Sequence, residues 1–187
     1  KNTFDNTPQK VQEASIAFQK AIEEIAVDMK ILVAAEYYCD EGFLQYIKSD
    51  KLLHINRYVL FEFPLFAPPV NFEEVLFELK KRDYIPVLAH PERYVYYHNK
   101  PERYKELKNL GVYFQINLNS LVGYYSKPVK DIAYYLAHNG LVDFVGSDAH
   151  NVKHTALLHK VIKSKEYDML IKNNTLLNDT FYEGVIL

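Results

Sequence analysis

The sequence predicts an α/β protein built on a parallel sheet or barrel, and three observations lead there. Short apolar runs rich in β-branched residues alternate with stretches whose apolar residues recur at three- and four-residue spacing. The runs are almost continuously apolar, as strands covered on both faces are. The first four end in a carboxylate, an imidazole or an amide, and the fifth leads into a polar Gly-Ser-Asp-Ala-His segment.

Thr7-Pro8 supplies an N-cap followed by proline at the first helical position. Val11, Ala14, Phe18, Ile22 and Ile25 then form one apolar helical stripe. The run 30–36 is too short for a stable helix and is read as a buried strand ending at Glu36. A second strand, 58–61, ends at Glu62, and Asn71 caps a helix to about Arg82 that turns Val75, Leu76 and Leu79 inward. A third strand, 84–89, ends at His90. Pro101 opens a helix, and the strand 112–116 ends at Asn117. A helix from about Pro128 to His138 stops at Asn139-Gly140, a C-cap pair. The strand 141–145 runs into Gly146-Ser147-Asp148-Ala149-His150, and the remainder to Leu187 reads as helices with short breaks. No linker or low-complexity tract interrupts this rhythm, so residues 1–187 are read as a single domain.

Composition narrows the classes. Hydrophobic residues are 49% and charged residues 25% of 187, which excludes a disordered or collagen-like chain. Lys and Arg total 22 against 24 Asp and Glu, without the basic excess expected of a nucleic-acid binder. No apolar run approaches the ~20 residues that span a bilayer, so no membrane insertion is expected. The one cysteine, Cys39, excludes an intramolecular disulfide and fits a reducing compartment; a cytoplasmic location is expected.

Ligands of parallel α/β folds bind outside the carboxyl ends of the strands. Those ends carry Glu36, Glu62, His90, Asn117, Asp148 and His150, five of them carboxylates or imidazoles of the kind that suit Mn, Fe or Zn. Asp148-x-His150 directly after a strand places two such groups on the same side, although a capping aspartate beside a surface histidine would look the same. In His90-Pro91-Glu92-Arg93, Arg93 is either a bidentate phosphate partner or one half of an ordinary salt bridge. The run Lys80-Lys81-Arg82 reads as a solvated helix end. Tyr124-Tyr125 and Tyr134-Tyr135 read as core and rim aromatics; His54, His98, His138 and His159 read as structural or surface groups. Thiolate phosphatase chemistry is excluded, because Gln45 stands where a cysteine loop starting at Cys39 needs arginine. Neither a Gly-rich phosphate cradle nor a Gly-x-Ser-x-Gly elbow is present.

Four segments together carry a family likeness: Leu60-Phe61-Glu62-Phe63-Pro64, Ile85 through Tyr94, Gln115-Ile116-Asn117, and Gly146 through Asn151. In this order and spacing they resemble the bacterial tyrosine-protein phosphatases of the polymerase-and-histidinol-phosphatase (PHP) superfamily, of the capsular and exopolysaccharide type. The resemblance implies a distorted TIM-like (β/α)7 PHP barrel with up to three divalent metal ions, manganese above all, iron or zinc otherwise. It implies that Glu36 bridges metals, that Glu62 and His90 complete the second site, and that Asp148 and His150 serve the first and third. Arg93 matches an arginine that holds phosphate. A second phosphate-binding arginine, often found after the Asp-Ala-His-Asn segment, is absent; Lys153 or His154 would substitute as a point charge.

The implied function is hydrolysis of phosphotyrosine in proteins by a metal-activated hydroxide, with Arg93, Asp148 and His150 as the reacting site and Arg93, Lys153 and His154 as substrate contacts. The implied partner is a phosphotyrosine protein, a cognate bacterial tyrosine kinase that controls polysaccharide synthesis. Two alternatives are a small-molecule phosphomonoesterase, such as a histidinol phosphatase, and a non-catalytic remnant that binds phosphoproteins. The family's His-x-His and Thr-Pro-His segments have no match here, and Lys1-Asn2-Thr3 resembles the loop after the latter. On that likeness the chain corresponds to the barrel without its first two strands and is expected to turn over little as it stands.

Overall fold

The computed structural model describes residues 7–182 apart from Ala26, Asp28 and Lys30. The Lys1-Asn2-Thr3 segment, the first residue of the expected 30–36 strand and the last five residues therefore lie outside the description. The elements alternate as the periodicity required: α1 (Pro8–Glu24), β1 (Glu36–Tyr38), α2 (Glu41–Lys48), β2 (Tyr58–Glu62), α3 (Phe72–Lys81), β3 (Ile85–Ala89), α4 (Glu102–Asn109), β4 (Tyr113–Asn117), α5 (Lys127–His138), β5 (Phe144–Gly146), α6 (Val152–Val161) and α7 (Lys165–Asn173). Two 3₁₀ turns follow β3, one follows β4, and one ends the described chain.

Several starts are set by side-chain caps. Thr7, Asp40, Ser126, Asn151 and Ser164 each accept from a backbone N–H in the first turn of the helix that follows. Asn71 occupies the cap position of α3 without such a bond. α2 is an element the sequence reading passed over, although Asp40 and the Phe43/Ile47 spacing both announce it. The α1 stripe behaves differently from its pattern: Ile22 is buried, whereas Phe18 and Ile25 stand exposed.

The five strands form one parallel sheet in the order β1-β2-β3-β4-β5. With right-handed crossovers, an unbroken sequential order puts the connecting helices on one face. Burial agrees with this. Val59, Phe61, Leu88, Phe114 and Ile116 join one apolar cluster with Phe43 and Ile47 of α2, Val75 and Leu79 of α3, Leu107 of α4 and Leu136 of α5. Withdrawing one such fully buried side chain from water is worth ~1.5–3 kcal/mol. The alternate residues, Tyr58, Leu60, Val87, Gln115 and Phe144, line a cavity of about 290 Å³ on the opposite face, with Glu36 and Asp148 also on its wall.

Two strands are shifted from the sequence expectation. β1 begins at Glu36 rather than ending there, because pairing starts only where Glu36 meets Leu60 of β2. β5 begins at Phe144 although its apolar run starts at Leu141. The Leu141 amide closes the α5 terminus on the Leu136 carbonyl, and the Val142 amide donates to the Asn174 side chain, so neither is free for the sheet.

Candidate metal centre

Parallel pairing brings the carboxyl ends of β1, β2 and β3 side by side. Tyr38 pairs with Glu62, and Phe61 with Leu88, so Glu62 lies at the edge from which His90 emerges. Tyr94, fully buried, ties these ends together: its hydroxyl donates to the Ala89 carbonyl at 2.8 Å and accepts from the Phe63 amide at 2.9 Å. The backbone of His90 is left-handed, with φ 35° and ψ 54°, ahead of Pro91. A side chain held there costs of order 1–3 kcal/mol, a strain that collects at functional positions.

The His90 ring is buried and places Nε2 3.1 Å from Glu36 Oε1 and 3.4 Å from Glu62 Oε2. Burial opposes protonation, but the two facing carboxylates outweigh it and push His90 up to about 9. Arg93 is close enough to oppose that charge. Two carboxylates and one imidazole, with donor atoms all within 4.8 Å of one another, are therefore held around a positive charge. Glu36 is exposed and Glu62 half-buried, so an ion could reach the group from solvent, and this oxygen-oxygen-nitrogen donor set fits a divalent cation. Glu36, Glu62 and His90 are the one group of this kind among the described residues.

Asp148 and His150 do not join that group. The strand ends at Gly146, and Asp148 sits in a left-handed turn with φ 48°, so the alternation expected of an extended segment is lost. Asp148 is instead the acceptor of a second cluster. Its Oδ2 receives Asn117 Nδ2 at 2.8 Å, Tyr125 OH at 3.3 Å and Arg93 Nη1 at 3.3 Å. The Arg93 guanidinium also lies 4.8 Å from the Tyr125 ring centre, a cation–π contact that fixes its plane. Burial and the neighbouring Asp148 charge push the Tyr125 phenol up to about 12, so it remains a donor.

His150 is exposed, with Nδ1 3.2 Å from Asp148 Oδ1. His154 Nδ1 lies 2.9 Å from the Asp148 carbonyl, and its ring packs edge-on to Tyr124. Lys153 is exposed in the first turn of α6, its amide held by the Asn151 cap. Among the other histidines, His98 Nε2 lies 2.8 Å from the Glu92 carbonyl, His54 accepts from the Arg57 amide, and His138 stacks on Tyr134; these are structural arrangements. The basic run is more than a solvated end: Lys80 holds the Leu110 carbonyl, and Arg82 pairs with Glu78.

Sequence reasoning missed two residues here. Tyr125 reads as a packing aromatic in the sequence, and nothing in its local pattern marks it. Glu92, fully buried, accepts the Asn117 amide at 2.9 Å and the Ser120 hydroxyl at 2.7 Å, fixing the residue that in turn holds Asp148. Burial raises its carboxyl above the usual range, against the opposing Ser120 bond. A Cβ at Gly146 would meet Gln115 Nε2 at 2.8 Å and displace that side-chain amide. That amide bridges to the Ile116 carbonyl and to Asn117 Oδ1.

Comparison with known proteins converges on the same family. Residues 1–168 match the model of capsular polysaccharide synthesis proteins CpsB/CapC. The tyrosine-protein phosphatase YwqE of Bacillus subtilis is 32% identical over 191 aligned residues, covering 96% of this chain and 75% of YwqE. The tyrosine-protein phosphatase CpsB of Streptococcus pneumoniae is 30% identical, covering 81% of this chain and 65% of CpsB. The putative tyrosine-protein phosphatase CapC of Staphylococcus aureus is 27% identical, covering 93% of this chain and 72% of CapC. A solved structure from a study of YwqE and CpsB, described as unique metal-dependent tyrosine phosphatases, superposes with TM-score 0.77 at 30% identity, covering 93% of this chain and 77% of that one. By sequence and by superposition, the chain belongs to the CpsB/CapC family of capsular polysaccharide synthesis.

Proposed function

We propose that this protein is a metal-dependent protein-tyrosine phosphatase that acts on a phosphorylated protein, a cognate tyrosine kinase of polysaccharide synthesis, in the cytoplasm. The observation that carries the proposal is one buried imidazole held between two carboxylates from neighbouring strands, beside a stacked guanidinium. Glu36, Glu62 and His90 are the residues that would hold a divalent cation, manganese in our reading, with iron and zinc as alternatives. Asp148 and His150 would complete further sites, up to three ions in all. Bound divalent ions supply an activated water near neutral pH and offset negative charge on a phosphoryl group.

The chain's own groups have defined tasks in the hydrolysis of a phosphomonoester to phosphate and a phenol. Arg93, its plane set by Tyr125, presents N–H donors to the phosphoryl oxygens. Asp148 holds Arg93 in place, and Asn117, itself clamped by Glu92, holds Asp148. His154, anchored on the Asp148 backbone, and Lys153, exposed in the first turn of α6, add donor groups at the rim.

Residues 1–187 form a single PHP domain in this reading, and the sheet is five strands of a distorted (β/α)7 barrel. Two features support that. The sequential order leaves β1 and β5 as edges, and the cavity face carries apolar side chains that an open sheet would expose.

The test compares the full-length manganese-loaded protein with its Glu62→Gln variant. We expect the wild type to cleave a phosphotyrosine peptide in preference to histidinol phosphate. The variant should lose metal content and activity together. Preference for histidinol phosphate would reassign the substrate. Metal binding without turnover of either substrate would favour a phosphoprotein-binding role.

A further inference from the structure

Beside Arg93 lies an open groove of about 590 Å³, within the size range of small-ligand sites. Its walls come from three connections and one helix. Leu65 and Phe66 follow β2, Val95 and Tyr96 lie in the second 3₁₀ turn after β3, Tyr125 precedes α5, and Val129 lies in the first turn of α5. Apart from the guanidinium at its inner end, the wall is apolar or aromatic. Phe66 is 96% exposed and Val95 65% exposed, so these side chains leave apolar surface in water and contribute little to the core. Tyr96 is anchored from behind, its hydroxyl donating to the Pro64 carbonyl at 2.9 Å and its ring stacked on Tyr94.

The arrangement has a direction. Arg93, on the groove's wall, also donates to Asp148, and Asp148 shares the neighbouring cavity wall with Glu36, so the groove lies beside the carboxylate–imidazole group. A ligand with a dianionic head at Arg93 must carry an apolar body behind that head to fill the rest. An aryl phosphate has this distribution of charge and surface in a compact, rigid form; a short alkyl phosphate does not. A phosphotyrosyl ring also holds its phosphate a ring's length from the peptide backbone, which lets the backbone stay outside the groove. A phosphoseryl side chain would need to bring the backbone in and leave Phe66 and Val95 uncovered.

We propose that the groove formed by Leu65, Phe66, Val95, Tyr96 and Tyr125 is an aryl subsite that receives the aromatic ring of the substrate while Arg93 receives its phosphate. The inference rests on the phosphatase reading above and adds the source of its aryl specificity. Tyr96 and Tyr125 offer ring faces and edges to the incoming ring, and Phe66 and Val95 close over it from the solvent side.

The test measures binding of two non-hydrolysable anions, phenylphosphonate and methylphosphonate, to the full-length manganese-loaded protein by titration calorimetry. Hydrolysis of a phosphotyrosine peptide is followed alongside. Wild type should bind phenylphosphonate about tenfold more tightly than methylphosphonate, the scale set by withdrawing one aromatic ring from water. In the Phe66→Ser/Val95→Asp variant, whose substitutions lie at exposed positions, that ratio should collapse toward one. The KM for the peptide should rise, with kcat changing less. A variant that keeps the phenyl preference overturns the proposal, as does a wild type that hydrolyses the peptide without any such preference. Loss of turnover only on an intact phosphoprotein, with the phenyl preference retained, assigns the groove to protein docking and also overturns it. Absence of both peptide hydrolysis and phosphonate binding in wild type overturns the phosphatase reading itself.

Discussion

Arg93→Ala separates the two roles that the geometry offers this residue. In the structure Arg93 Nη1 is 3.3 Å from Asp148 Oδ2, with side-chain exposures of 25% and 14%. Asp148 keeps two other donors, Asn117 Nδ2 at 2.8 Å and Tyr125 OH at 3.3 Å, when the guanidinium is removed. A partly exposed pair whose acceptor remains satisfied is worth about 1 kcal/mol, a fall in Tm of roughly 2–4 °C for a chain of this size. Loss of a charged, pre-oriented donor to the phosphoryl oxygens costs ~2–4 kcal/mol of transition-state stabilisation, or roughly 30- to 900-fold in kcat/KM. The chemical effect thus exceeds the structural one enough to be told apart. Kinetics on a phosphotyrosine peptide, read beside thermal melting and metal content, decide between them. Metal content should hold, because Arg93 is not among the three clustered donors. Arg93→Lys should fall between wild type and Ala, since it restores the charge without the planar fork. A kcat/KM within about threefold of wild type, together with a lowered Tm, would refute the assignment and leave Arg93 as a structural partner of Asp148.

Two further outcomes follow from buried groups. Glu92→Ala orphans the Asn117 amide and the Ser120 hydroxyl, and should cost ~2–4 kcal/mol by denaturant unfolding; Glu92→Gln keeps an acceptor and should cost clearly less, and equal losses would show that those bonds do not matter. Burial, reinforced by Asp40, pushes the Cys39 thiol up to about 12, above its unfolded value, so its contribution to stability is complete below about pH 9 and is lost as pH climbs toward 12. At pH 8 the native thiol should therefore resist an aromatic disulfide reagent and react once in denaturant; fast labelling of native protein would contradict the burial argument.

The amino-acid sequence by itself determined the element types and much of the sheet. Periodicity distinguishes buried strands such as 58–62 and 85–89 from amphipathic helices such as 72–81, and Thr7 and Asn139-Gly140 mark ends, because caps and side-chain spacing are local properties. Glu62 and His90 were legible for the same reason, since the ends of parallel strands face one mouth, whereas Glu36 closes the apolar run in the sequence but opens β1 in the structure. What only the tertiary structure decided depends on contacts between distant segments. The start of β5 is set by Asn174, 32 residues from Val142, and no window around residue 141 contains it. Asp148 stays outside the Glu36–Glu62–His90 group and joins a cluster with Arg93, from the connection after β3, and with Asn117 and Tyr125, from the end of β4 and the connection that follows it. Tyr125 looks like a core aromatic until the fold lays Arg93 across its ring, and Glu92 looks like a surface carboxylate until Asn117 and Ser120 close over it. Local pattern states which side chains leave the strands; pairing register and loop packing state which of them meet.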